Sequence, residues 1–93
     1  MALGLPMIQL DATIVNPLGL HARPAAQLVK LANTFSSDIQ LLKEGVPVNG
    51  KSIMGVMILA AECGSIITIR AQGEDEDAAV NALAGLVRSG FGE

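Results

Sequence analysis

The chain has 93 residues, 51% of them hydrophobic and 16% charged, with a formal net charge of −3 at pH 7. That length and composition fit one globular domain and leave no room for a second core. The acidic balance offers no electrostatic footprint for DNA, RNA or an anionic lipid surface, and two aromatic residues, Phe35 and Phe91, leave almost nothing for bases to stack on.

The apolar opening MALGLPMIQL has no Lys or Arg and stops at Asp11, so it reads as neither a signal peptide nor a membrane span. Residues 1–6 read as a loose tail, with Met7 as a second plausible start. Loose alternation of Ile8, Leu10, Ala12 and Ile14 predicts a strand over Met7–Ile14. The segment NPLG, Asn16–Gly19, is a loop. A helix is predicted over Ala22–Asn33. Ala25, Leu28, Val29, Ala32 and Phe35 recur on one stripe, with Arg23, Gln27 and Lys30 off it. Pro24 falls in the first turn, where its missing N–H breaks no intrahelical bond.

Two short strands, Asp38–Leu42 and Val46–Val48, flank a turn at Glu44–Gly45. A short helix follows up to Leu59, with Ser52 as N-cap. Ser65–Ala71 is rich in β-formers and reads as a strand. The last helix opens with the acids Glu74 to Asp77 and carries Arg88 near its end, matching the helix dipole at both termini. Val80, Leu83 and Val87 line its apolar face, and Gly90 and Gly92 are stop signals. The order β-α-β-β-α-β-α predicts an α+β fold, with helices covering one face of a four-stranded sheet.

Cys63 is the only cysteine. It excludes an internal disulfide, fits a reducing compartment and, with only Glu62 as a charged neighbour, reads as buried or incidental. One His and one Cys give too few ligands of distinctive type for a metal site, and no nucleophile motif suggests a hydrolase.

The only histidine, His21, stands where the first helix begins. As N-cap it would place the amides of Ala22 and Arg23 beside whatever the ring carries, and Arg23 adds a guanidinium that can fork onto oxygens. The positive helix end favours the neutral ring, keeping a nitrogen free to act as a nucleophile. That set of groups suits a phosphoryl group. An N-cap histidine with no further role fits the local residues equally, and is the commoner case.

The segments GLHARPAAQLV and GKSIMGVMILA, in this order, and the helix opening GEDEDAAVNAL resemble the HPr family, the histidine-containing phosphocarriers of the bacterial phosphoenolpyruvate-dependent phosphotransferase system. The likeness runs from Met7 to Glu93. It implies an open-faced β-sandwich, with a four-stranded antiparallel sheet covered on one face by three helices. It implies that His21 accepts a phosphoryl group on Nδ1 from phosphorylated enzyme I and passes it to an enzyme IIA, with Arg23 assisting. The chain would then be a carrier with a transient phosphohistidine, not an independent enzyme, and would need no cofactor or metal. A cytoplasmic monomer is expected.

In the second motif a helix so short can bury only one face, so some of Ile53, Met54, Met57 and Ile58 should be exposed. They are either core or a docking patch in which methionine supplies adaptable contacts. The resemblance favours docking through Ile53, Met54 and Met57. Ser52 is either an ordinary N-cap or the serine that HPr kinase/phosphorylase modifies in many such carriers. A phosphate there would stabilise the helix start but put charge within the apolar patch. The segments ILAAECGS and LVRSGFGE resemble proteobacterial carriers, including the nitrogen-related NPr branch, so a regulatory phosphorelay is the alternative to sugar uptake. A non-phosphorylated ligand-binding domain of similar shape is the third reading, against which His21 and Arg23 count.

Overall fold

The architecture comes from a computed structural model that describes residues 7–93. The expected loose tail of residues 1–6 lies outside the described residues. The strands are β1 (Ile8–Thr13), β2 (Asp38–Lys43), β3 (Val46–Asn49) and β4 (Ile66–Gln72), and the helices are α1 (Ala22–Ala32), α2 (Ile53–Ile58) and α3 (Glu76–Arg88). Each expected element is present, with ends displaced by one or two residues. The larger difference is at α3, where Glu74 and Asp75 precede the helix and only Glu76 and Asp77 lie in its first turn.

The sheet order is β1-β4-β2-β3, every pairing antiparallel. Register follows from alternation, because slipping by one residue would turn each apolar set toward solvent. Leu10, Ile69, Leu41 and Val48 stand opposite one another in a single row across all four strands. Ile67, Ile69 and Ala71 are buried, as are Ile39 and Leu41, and all face the helices. Pro47 cannot donate to a ladder and sits in β3, which pairs only with β2 and is an edge strand. The two-residue hairpin turn has positive φ at both Glu44 and Gly45, the backbone that suits the twist of flanking strands.

The helical layer contributes Leu28 and Val29 from α1, Val56 from α2, and Val80, Leu83 and Val87 from α3 to one aliphatic core. Between α1 and β2, the Asp75 carboxylate does not cap its own helix. It accepts hydrogen bonds from the Ser37 hydroxyl and from the amides of Ser36 and Ser37, the amide bonds at 2.8 and 2.9 Å. These donors favour the ionised form and hold its pKa at about 2, against an ordinary 3.8. At the other end of α3, Arg88 donates to the Asp11 carbonyl oxygen at 2.8 Å, fixing the helix to β1.

Candidate functional site

The site is built where the β1–α1 loop, the start of α1 and the C-terminal segment converge. The loop is closed by Gly19 N–H donating to Asn16 O (3.0 Å) and anchored by Leu20 N–H donating to Ala61 O (2.8 Å). Gly19 has φ +67, and a β-carbon there would strike the Ala61 carbonyl oxygen. Only glycine brings the loop this close to the α2–β4 connection.

His21 is the N-cap of α1, with extended backbone (φ −75, ψ −175), and its side chain caps no helix amide. The ring is therefore free to point elsewhere. Its carbonyl oxygen accepts from Ala25 N–H at 3.0 Å. Pro24 has no N–H, so the unclaimed amides inside the first turn are those of Ala22 and Arg23. Ala22 and Arg23 are both exposed. Among the described residues, Arg23 enters no ion pair.

The ring's partner is Glu93. His21 Nε2 lies 2.9 Å from Glu93 Oε2 and 3.1 Å from Oε1. The two side chains are 35% and 20% exposed. A carboxylate can only accept here, so Nε2 carries the hydrogen, and in the neutral ring Nδ1 keeps the lone pair. Nδ1 has no hydrogen-bond partner among the described residues. Glu93 reaches the site because the chain reverses after α3. Gly90, Phe91 and Gly92 have φ of 73, 59 and 75 in succession. Phe91 tolerates this left-handed backbone while burying its ring, which is 4% exposed. The carboxylate is also held from behind, by Asn16 Nδ2 donating to Oε1 at 2.9 Å.

Two grooves flank the loop, sharing Pro17 and Leu18 as their common wall. One is lined also by His21, Met57, Glu62 and Cys63, and the other by Arg23, Gln27, Phe91 and Glu93. Among the second-motif residues, Met54 is 76% exposed and Ile58 71%, and Ile53 and Met57 are exposed as well. Val56 alone in α2 is buried. Of the two readings of this motif, core or surface, the surface one describes Ile53, Met54 and Met57. Met57 and His21 line the same groove, while Ser52 lines neither. The Ser52 hydroxyl accepts from Gly55 N–H at 3.2 Å, the N-cap bond.

Sequence reasoning missed Glu93, Asn16 and Leu18. The GFGE ending was read for its stop signals, although two glycines around an aromatic permit a return of the chain. Leu18, 76% exposed beside His21, extends the apolar surface across the loop. Cys63, expected to be buried or incidental, is not buried: it is exposed on the α2–β4 turn, with Sγ 3.7 Å from Val15 O. No helix among the described residues is long and apolar enough to cross a membrane.

Comparison with known proteins points to one family. Residues 8–89 match the family model described as the PTS HPr component phosphorylation site. Phosphocarrier protein HPr of Cupriavidus necator is 49% identical over 87 residues, covering 94% of this chain and 98% of the relative. The crystal structure of HPr-C-His from Thermoanaerobacter tengcongensis superposes with a TM-score of 0.89 at 45% identity, covering 92% of this chain and 97% of that one. A crystal structure of an HPr dimer from the same organism matches with a TM-score of 0.74 at 49% identity, covering 81% of this chain and 86% of that one.

Proposed function

The chain belongs to the HPr family and is a phosphocarrier of the phosphotransferase system, and from that premise we propose that His21 is the residue that carries the phosphoryl group, on Nδ1. The observation that carries this reading is the Glu93 carboxylate on Nε2, which leaves Nδ1 as the nucleophile.

The Nδ1 lone pair attacks phosphorus and the N–P bond forms. The bond from phosphorus to the donor breaks, and its electron pair leaves with the donor. The ring keeps its Nε2 hydrogen, so it becomes positive as the new bond forms, and Glu93 meets that charge. Ala22 and Arg23 amides and the Arg23 guanidinium supply donors to the phosphoryl oxygens. Handing the group on reverses each step.

The donor in this reading is phosphorylated enzyme I, and the acceptor an enzyme IIA. Both dock on the exposed surface of Ile53, Met54 and Met57, extended by Leu18 and Ile58. A carrier with several brief partners is served by a small apolar patch with adaptable methionines. Ser52 is assigned as the regulatory site for HPr kinase/phosphorylase, its hydroxyl leaving Gly55 N–H on modification. A phosphate there sets about two negative charges at the edge of the patch and weakens enzyme I docking. The chain works as a monomer in the cytoplasm.

Phosphoenolpyruvate and enzyme I should load wild-type protein with an acid-labile, base-stable phosphate. His21→Ala should take none. A label that survives His21→Ala would refute the assignment. Kinase and ATP should add an acid-stable phosphate that is absent from Ser52→Ala.

A further inference from the structure

Asn16 is 2% exposed and sits between β1 and Pro17, one of two buried polar residues among those described. Its carboxamide spends both N–H groups at the site. One goes to Gly19 O at 2.7 Å, within the loop that presents His21, and the other to Glu93 Oε1 at 2.9 Å. Both partners are acceptors, so the amide can face only one way. That orientation leaves Oδ1 buried with no partner among the described residues. An unsatisfied buried acceptor is costly, and a small apolar side chain at this position would avoid the cost. The amide joins Gly19 of the loop to the Glu93 carboxylate.

Glu93 is tethered to the fold through a short left-handed turn, and its side chain has several rotatable bonds. Among the described residues, apart from the Asn16 amide, only the His21 ring holds its carboxylate. We propose that Asn16 is a positioning residue for phosphoryl transfer: it fixes the Glu93 carboxylate on His21 Nε2, and so presents Nδ1 as the free nucleophile. The proposal rests on His21 as the phosphoryl acceptor, but the state of the ring can be read without any transfer.

Nitrogen-15 NMR of the neutral imidazole reports the tautomer. Wild type should hold the Nε2–H form in clear excess over free histidine. Asn16→Ala should move the ratio toward that of free histidine and lower kcat for phosphorylation by enzyme I about threefold to tenfold, with KM unchanged. That range is modest for a hydrogen bond to a carboxylate, because the bond acts on the ring through Glu93 and not on the reacting atoms. In a Glu93→Ala background, Asn16→Ser, which keeps a donor for Gly19 O, should change neither quantity further, since the Asn16–Glu93 bond and the Glu93–His21 bond act in series. Amide spectra check that each variant folds. Asn16→Ser, which keeps one short donor for Gly19 O and cannot also reach Glu93, should give the same shift as the alanine variant.

A wild-type tautomer ratio and rate in both Asn16 variants would overturn the proposal. So would effects of Asn16→Ser and Glu93→Ala that multiply independently. Failure of wild type to load at His21 would instead overturn the parent reading, and the tautomer ratios would still decide the role of Asn16.

Discussion

A neutral imidazole has one nitrogen with a lone pair, and its neighbours select which. Glu93 makes that choice at His21, while Arg23, in no ion pair among the described residues, lines the next groove, where the proposed role is to bind a phosphoryl oxygen. Arg23→Ala should therefore lower kcat/KM for phosphorylation by about tenfold to a hundredfold, the worth of a charge-assisted hydrogen bond. Arg23→Lys should recover only part, because a lysine cannot fork onto two oxygens. Steady-state transfer from enzyme I measures both. Gly19→Ala tests the loop instead: it should cost about 2–3 kcal/mol in urea denaturation, through left-handed strain and the collision with Ala61 O. His21, Arg23 and Gly19 could be singled out because they lie together at a helix start, but it was the family resemblance that chose a phosphoryl acceptor over a plain N-cap histidine. Glu93, 72 residues beyond His21, could not be singled out. Nothing local to GFGE says what its carboxylate meets.

At the scale of elements, the periodicities identified the strands and helices because burial on one face imposes them. Their ends were less legible, since caps depend on partners elsewhere in the chain. Asp75 is the clearest case. Among the opening acids it read as a contributor to the helix dipole, yet it binds Ser36 and Ser37 across the α1–β2 loop. Its folded pKa lies below its unfolded one, so the folded state binds fewer protons. The stabilisation it gives is complete above the ordinary carboxylate value of 3.8 and is lost as pH falls through about 2. Urea melts between pH 5 and pH 2 should show stability falling on acidification, and Asp75→Asn should flatten that fall. Ser52 tests α2: Ser52→Ala should cost about 1 kcal/mol, the worth of an N-cap, while leaving His21 phosphorylation intact.

At the scale of the whole molecule, the sheet holds three helices on one face, and the chain ends of β1, α1 and α3 meet at the histidine. The open-faced α+β architecture followed from the element order and the family resemblance together. Exposure of α2 followed from its shortness, since six residues cannot bury both faces. Met54→Glu should raise KM for enzyme I severalfold with little effect on folding, because a charge enters the docking surface at a residue 76% exposed. A relative crystallises as a dimer, so light scattering across a concentration series bears directly on the shuttle: a monomer at working concentration is expected. Comparing sugar-type with nitrogen-type enzyme I as donor assigns the branch. The central claim is that a phosphoryl group travels on Nδ1 of His21. Phosphorus-31 and nitrogen-15 NMR of protein loaded by phosphoenolpyruvate and enzyme I tests it most directly. One phosphate bonded to His21 Nδ1, transferable to an enzyme IIA, is the expected result; phosphate on Nε2, or on any other residue with His21 unmodified, would contradict the account.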